Sequence, residues 1–333
     1  ESVDLFRTIN NDNAIRCESD LAMLLSNLSA HLWNLKKRDR ALEAAREAVD
    51  LRRKLVRKFP AVFTSGLAAS LNGLAIRLSD VREFNEALDI AREAVDLYRT
   101  LNVEHPDLYE PNLAASLNTL INRLLENGNY DEVSDTYREL VKLYRRLVNK
   151  FADLYTPNLA MVLTNMAKHL SSTDDSSGAL GAVLEAVDLY RALAMKSPGR
   201  YRADLARALN SNACAWLGVG NSDAALEASS EALGLFRCLA GDLPDVYNVS
   251  LVEALNIRAN ILSETAYYKE ALVASGEALD LLRSLADESP DYYEANLAEA
   301  LNIRASVLSC ATNLKECMDA SREALEDSCE AVE

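Results

Sequence analysis

The chain has 333 residues, of which 49% are hydrophobic and 6% are aromatic, with only eleven glycines and seven prolines. This composition favours helices, because aromatic and β-branched residues, which dominate strands, are scarce. The formal net charge of −16 argues against a nucleic-acid partner, since contacts to phosphates need a clustered cationic face.

The cysteines show neither a CxxC pair nor the spacing of a disulfide framework, so we expect no metal site and reduced thiols in the cytoplasm. We find no signal peptide and no apolar run of about 18 residues, so no membrane partner is expected. The chain begins at Glu1 without Met, which predicts a fragment or a processed product. The six cysteines are Cys17, Cys214, Cys238, Cys310, Cys317 and Cys329.

Charge is distributed unevenly along the chain. Residues 36–58 hold ten Lys or Arg against four acids, whereas residues 316–333 hold seven acids. Solvated helix faces explain such polarity, and a charged docking site is the alternative.

The first predicted element is the end of a helix. The segment ESVDLFR at 1–7 lies 46 residues before EAVDLRR at 47–53. Residues 1–20 are therefore interpreted as the end of an earlier repeat and its connector. We hypothesise that further repeats, or upstream domains of the same full-length chain, precede Glu1.

A segment with the apolar periodicity of a helix then occurs seven times at a step of 46 residues, and we call it the first helix of each repeat. In the second repeat its apolar positions form one stripe, at Leu67, Leu71, Leu74, Ala75 and Leu78. The repeats begin near Leu21, Leu67, Leu113, Leu159, Leu205, Leu251 and Leu297.

A second helix follows at the same step, with small residues such as Ala87 and Ala94 where two helices must approach closely. The segment SSTDDSSG at 171–178 is predicted as the turn between the two helices of the fourth repeat. The second helices open at Ala41, Ala87, Val133, Ala179, Ala225, Ala271 and Cys317.

A P-x-x-Y connector leads to the next repeat, with prolines in register at Pro60, Pro106, Pro198, Pro244 and Pro290. Pro111 and Pro157 are predicted to lie just before a first helix, which Thr156 would cap. One hairpin exposes too much of its apolar stripe to be stable alone, so we expect residues 1–333 to form a single domain of stacked hairpins.

The spacing of small and large apolar residues resembles the tetratricopeptide repeat family. The pattern runs through Leu71, Leu74, Ala75 and Leu78 into Phe84, Ala87 and Ala94. The turn positions that the family favours are occupied by Gly128, Tyr130, Gly220 and Tyr268.

This resemblance implies an all-α, right-handed superhelical solenoid whose first helices line a concave groove. The repeats exceed the family's 34 residues by about twelve, which we assign to a longer second helix and the connector. Such long repeats resemble kinesin light chains and the arrays attached to fungal NLR-like ATPases. HEAT or armadillo repeats, which share the period, are the alternative fold.

An Asn recurs one residue after the central Leu of the first helix, where the resemblance places the groove. Its amide can both donate to and accept from the backbone of an extended peptide. The alternative is a bond to the neighbouring repeat. The row comprises Asn72, Asn118, Asn210, Asn256 and Asn302, with Ser26 and Thr164 at the two other equivalent positions.

A second row, four residues further on, varies as positions that set specificity would. It includes Asn122, Lys168 and Asn260. Arg258 and Arg304 replace a Leu or Met of earlier repeats, and a buried guanidinium is costly unless it is paired. We expect these arginines either to reach the groove or to bridge to an acid of an adjacent repeat.

A Glu and an Arg also recur on the second helix with a spacing of six, as in Glu93 and Arg99. This spacing cannot form a pair within one helix, so we predict bridges between repeats or simple solvation.

No residues suggest catalysis or a cofactor. The three histidines, His31, His105 and His169, form no triad or metal-site spacing, and His31 and His169 share an equivalent position with Arg77 and Arg123, which suggests a basic surface role. The sequence therefore predicts a non-catalytic scaffold for a protein or peptide of unknown identity. The alternative is a sensor or structural array of a larger NLR-like protein, without a ligand of its own.

Overall fold

The computed structural model describes residues 14–288 and 290–310, and these form thirteen α-helices without a strand among them. The first helices are α1 (Ala14–Asn34), α3 (Pro60–Asp80), α5 (Pro106–Glu126), α7 (Ala152–Ser172), α9 (Pro198–Gly218), α11 (Pro244–Glu264) and α13 (Pro290–Cys310). The second helices are α2 (Arg38–Lys58), α4 (Phe84–Glu104), α6 (Tyr130–Lys150), α8 (Ser176–Lys196), α10 (Ser222–Asp242) and α12 (Tyr268–Glu288).

The predicted helical hairpins are confirmed, and their dimensions are uniform. Every helix has 21 residues. A turn of three residues joins the two helices of a hairpin, and one residue joins a hairpin to the next. The extra length of the repeat is therefore carried by both helices, and the prediction that the connector carries part of it was wrong.

The chain divides into two compact units, Glu1–Tyr155 and Thr156–Glu333. In the first unit each helix from α1 to α6 packs against the next, and the first helices α3 and α5 also contact each other. In the second unit α8 to α13 pack in the same order, and the first helices α9, α11 and α13 contact their neighbours in turn. The organisation as a single domain stays a prediction.

The predicted apolar stripes form the core. Leu71 and Leu78 of α3 are completely buried, and so are Ala87 and Ala94 of α4. These residues belong to one cluster in which leucines of the first helix fill the space that alanines of the second helix leave. The small residues therefore set the close approach of the two helices.

The connector between repeats is a single residue, because the first helices begin seven residues earlier than the leucines that mark them. Pro60 is the first residue of α3, where its missing N–H costs no hydrogen bond. The residue before it, Phe59, has φ −142° and ψ 71°, which suits the residue preceding a proline. Phe151 has nearly the same angles before Ala152, so the connector itself requires them.

Two predictions about this region were wrong. Pro111 and Pro157 lie inside α5 and α7 rather than before them, and Thr156 lies within α7 rather than at its N-cap. Pro111 cannot donate to the carbonyl of Asp107 one turn earlier, so α5 lacks one backbone bond there.

The turns inside the hairpins all use left-handed backbone at their second residue. Gly128 and Gly220 have φ of 71° and 79°, and the non-glycine residues Lys36, Arg82, Asp174 and Ala266 have φ between 58° and 67°. The next amide donates back across the turn, as from Asn129 to the carbonyl of Leu124 at 2.9 Å. This bond ends each first helix in a Schellman motif. Thr173, Asp174 and Asp175 form the turn predicted for the fourth repeat.

One helix is more apolar than the sequence analysis allowed. Among the described helices, α3 alone is long and apolar enough to cross a membrane, with a mean hydropathy of 1.3 over 18 residues. It nevertheless packs between α2 and α4, with Leu67 and Leu74 at most 4% exposed. Its composition is that of a core helix.

Residues 1–20 were predicted as the end of an earlier repeat and its connector, but residues 14–20 belong to the first helix α1. Residues 1–13 and the second helix of the seventh repeat, which contains Cys317, lie outside the described residues.

Candidate functional site

The row of asparagines runs along the first helices, and its members differ in burial. Asn210 and Asn256 are 4% and 6% exposed, Asn72 and Asn118 are half-buried, and Asn302 is exposed. The Oδ1 atoms of Asn72, Asn210 and Asn256 are buried and have no hydrogen-bond partner in the described part of the chain. A buried amide oxygen without a donor is costly.

The hydroxyl residues at the same equivalent position are satisfied locally. Thr164 donates to the carbonyl of Ala160 at 2.9 Å, and Ser26 donates to that of Ala22 at 3.0 Å. Among the described members of the row, Asn72, Asn210 and Asn256 therefore differ in holding a buried oxygen without a hydrogen-bond partner.

Exposed side chains flank the Asn row on both sides. Arg207 and Glu253, three residues before Asn210 and Asn256, are exposed, and so are Asn122, Lys168 and Asn260. Positions three residues before and four residues after share one face of a helix. The predicted specificity residues thus lie on the same surface as the Asn row.

In the second unit, three successive first helices enclose a pocket of about 340 Å³ on this surface. Lys168 from α7, Asn210 from α9 and Glu253 from α11 all line it. The other lining residues are Ser171, Ser172, Arg207, Ser211, Cys214 and Ile257. Asn210 therefore places a buried amide at the wall of a cavity that is large enough for a side chain or a short stretch of backbone.

The pocket carries both signs of charge. Arg207 donates to Asp204 on its own helix, so its charge is balanced locally. Lys168 and Glu253 stand on different helices and have no ion-pair partner within the described residues. Desolvation by the walls raises the pKa of the Cys214 thiol, and Lys168 partly offsets this rise.

Arg258 lies away from this surface and against the preceding second helix. Its Nη1 donates to the carbonyl of Leu226 at 2.6 Å and to the Ser229 hydroxyl at 2.7 Å, both on α10. Arg304 lies similarly beside α12, with its Nη1 2.9 Å from where a Cβ on Gly276 would stand. Arg258 thus bridges to an adjacent repeat, but through a carbonyl and a hydroxyl rather than the acid we expected.

The repeats match a known family model. Residues 21–59 and 67–107 match the model described as Tetratricopeptide repeat, and the same helical hairpin continues at the same step through α13. These two repeats are tetratricopeptide repeats, and the other described hairpins share their fold. This assignment replaces the HEAT or armadillo alternative.

Solved structures share the fold at low identity. BtubC (BKLC) from P. vanneervenii has a TM-score of 0.56 and 17% identity, over 74% of this chain and 92% of that one. The apo form of RapI has a TM-score of 0.56 and 13% identity, over 89% and 99%. The assembly chaperone of RpL4, Acl4, has a TM-score of 0.54 and 15% identity, over 91% and 99%. No curated protein sequence matches this chain.

The Glu and Arg of the second helices join consecutive repeats, as one of our two alternatives predicted. Arg53 donates to Glu93, Arg191 to Glu231 and Arg237 to Glu277, each at 2.6 Å and each across 40 residues. The spacing of six within one helix arises because each helix gives its Arg to the next repeat and its Glu to the previous one.

Two basic residues that we expected on the surface are buried. Arg123 is 7% exposed and donates to the carbonyl of Ala75 at 3.1 Å, and His169 is 6% exposed. The equivalent residue Arg77 lies 5.2 Å from the centre of the Trp33 ring. In the second and third repeats this position therefore contacts the preceding repeat. The equivalent His31 is exposed, and so is His105, which lies at another position.

Within the part that the structure describes, no three His, Cys, Asp or Glu side chains form a group that could hold a metal ion. The cysteines in this part, Cys17, Cys214, Cys238 and Cys310, are free thiols. Cys329 lies with Cys317 outside the described residues.

Proposed function

We propose that this chain is a non-catalytic scaffold that binds a protein or peptide along its first helices, with the pocket between α7, α9 and α11 as the main contact. The observation that carries the proposal is the buried, unpartnered Oδ1 of Asn210 at the wall of that pocket. The intracellular location inferred from the cysteines remains part of the proposal.

The chemistry of Asn210 favours an extended peptide. A buried acceptor without a donor costs about 1 to 3 kcal/mol, and a backbone N–H of a ligand would remove this cost. The amide N–H groups of Asn210 can in turn donate to a peptide carbonyl, so one side chain can hold one residue of backbone without reading its side chain.

The charges at the pocket then favour one orientation of the bound peptide. Lys168 on α7 favours an acidic side chain of the ligand, and Glu253 on α11 favours a basic one. A peptide with an acidic and a basic residue on opposite sides of its Asn210 contact is therefore the preferred partner.

The test selects peptides on the protein from a random display library and measures their affinity by calorimetry. Asn210→Leu should weaken the selected peptides at least about tenfold, which corresponds to the loss of one hydrogen-bonded contact. Melting temperatures measured in parallel show whether each variant is folded.

The helix α9 also supplies a matched control. Asn212 is 6% exposed and its Oδ1 is likewise unpartnered, but it does not line the pocket. Asn212→Leu should leave the affinity unchanged. Failure to select any peptide, or equal losses in both variants, would contradict the proposal and favour a structural or sensory array without its own ligand.

A further inference from the structure

A second cavity lies on the side of the second helices, between α10 and α12. It encloses about 580 Å³ and has an apolar floor that includes Leu233, Leu255 and Leu262. The remaining lining residues are Ser230, Gly234, Arg237, Arg258, Lys269, Glu270, Val273, Ala274 and Glu277. It shares no residue with the pocket around Asn210.

The walls of this cavity follow the helices for about two turns. The lining residues of α10 run from Ser230 to Arg237 with the spacing of one helix face, and those of α12 run from Lys269 to Glu277. Ser230, Gly234 and Ala274 are small, so another backbone could approach closely between the walls. The cavity is thus a short trough with nearly the length of two helical turns.

Three positions on this trough differ from the equivalent positions of other repeats by losing an acid. Gly234 and Val273 stand where most other repeats carry Asp or Glu, and Lys269 stands where three of the six other repeats carry Asp. Val273 is 71% exposed. The acids equivalent to Gly234 are Asp50, Asp96, Asp188 and Asp280; to Lys269, Asp39, Asp131 and Asp223; and to Val273, Glu43, Asp89, Asp135 and Glu227.

A guanidinium in the trough also lacks an opposite charge. Arg258 is half-buried and its two hydrogen bonds go to a carbonyl and a hydroxyl, both through Nη1. No carboxylate forms an ion pair with it in the described structure. Burial lowers the pKa of Arg258, as expected for a guanidinium without a carboxylate beside it.

The acids that remain do not balance this charge. Glu277 is held by Arg237 at 2.6 Å. Glu270 is exposed, and its equivalents Glu86 and Glu132 pair with Arg46 and Arg92. The position of those arginines is occupied here by Ser230, so Glu270 has no such partner in the described residues and lies free at the rim.

We propose that the trough between α10 and α12 is a docking site for an amphipathic helix of a partner protein, with an aliphatic stripe toward Leu233 and Val273 and acidic residues toward Arg258 and Lys269. A helix fits because the walls are equivalent helices of consecutive hairpins and small residues line them, and such a helix presents aliphatic anchors at spacings of three and four residues. The acids fit because the trough has lost three of its own in a chain of charge −16.

The test uses two stapled helical peptides of about 20 residues, long enough to stay helical. Both carry the same stripe of leucines, which is flanked by Glu in one peptide and by Lys in the other. Fluorescence anisotropy of the labelled peptides measures their affinity. Long-range attraction to a protein of charge −16 favours the Lys peptide, so a preference of about tenfold for the Glu peptide can come only from a local cationic site.

Exposed substitutions then locate the site. Val273→Glu and Lys269→Asp each restore the acid of other repeats and should weaken the Glu peptide at least about tenfold. Lys142→Asp is the control, because Lys142 is exposed on α6 and the substitution changes the charge equally. Asn210→Leu should leave the affinity of the Glu peptide unchanged, which separates this trough from the first-helix pocket.

Three outcomes would overturn the proposal. These are a preference for the Lys peptide, an equal loss in Lys142→Asp and Lys269→Asp, and no binding of the Glu peptide at millimolar protein.

Discussion

Arg258 on α11 donates to the Ser229 hydroxyl on α10 at 2.7 Å, and the two residues depart from the repeat pattern together. In the second repeat, Leu74 occupies the position equivalent to Arg258. The second helix that precedes it has Ala45 at the position equivalent to Ser229. A serine thus accompanies the arginine in the repeat where the arginine crosses to a neighbour.

The first prediction concerns this pair. Ser229→Val should destabilise the protein by about 2 kcal/mol, because it removes the hydroxyl and crowds the partly buried guanidinium. The same substitution should be nearly neutral when Arg258→Leu is also present, since Val183 occupies the equivalent position elsewhere. Urea denaturation of the four proteins in a double-mutant cycle measures the coupling. Additive effects would show that the pair is not coupled.

The second prediction concerns the turns. Ala266 has φ 64°, where glycine is unstrained, so Ala266→Gly should raise the free energy of unfolding by up to about 1 kcal/mol. Gly128→Ala should lower the free energy of unfolding by a similar amount, because a φ of 71° strains any residue with a Cβ. The loss stays small because the added Cβ meets nothing closer than 4.0 Å. Opposite signs in urea denaturation are expected. A loss of stability in Ala266→Gly would contradict the strain argument.

The third prediction concerns the bridges between second helices. Arg99 Nη2 lies 2.6 Å from Glu139 Oε2, and the two side chains are 44% and 37% exposed. Exposed pairs contribute little, so the coupling energy from alanine variants should be about 0.5 kcal/mol and should fall in 1 M salt. A coupling that salt leaves unchanged would show that these contacts stabilise the stack by packing rather than by charge.

The fourth prediction concerns acid stability in the third repeat. Burial raises the pKa of Glu110, but hydrogen bonds from Lys150 at 2.8 Å and Arg146 at 2.7 Å outweigh this and hold it below the usual 4.5. A depressed pKa contributes stability that is complete above the unfolded value and is lost as the pH falls through the folded value.

Glu110→Gln should therefore cost about 2 kcal/mol at neutral pH, and this difference from the wild type should shrink below pH 4.5. Asp107 provides the control, since its side chain is 92% exposed and also contacts Lys150. Asp107→Asn should change stability little at either pH. A difference for Glu110→Gln that is independent of pH would show that its carboxylate is not the stabilising species.

The fold was predictable because the repeat makes equivalent residues visible in the sequence. Leu71, Leu78 and Ala94 were assigned to the core from spacing alone, and all three are fully buried. The helix boundaries were harder to predict. Pro111 matches the usual sign of a helix start, yet the row of prolines in register with Pro60 gives the true one.

The candidate site was predictable only in part. The position of the Asn row on the first helices follows from helical periodicity, but the burial of Asn210 and the shape of its pocket depend on three helices whose separation the sequence does not encode locally. The bridge of Arg258 could have been found, because Ser229 replaces Ala45 and Ala91 at the equivalent position.

The most direct test of the central claim, that a peptide binds along the first helices, is the rate of alkylation of two native thiols. Cys214 lines the pocket beside Asn210, whereas Cys238 is exposed on the second helix α10. A selected peptide at ten times its Kd should slow the reaction of Cys214 with N-ethylmaleimide about tenfold and leave Cys238 unchanged, as read by mass spectrometry of each site. Equal rates at Cys214 with and without bound peptide would contradict the account.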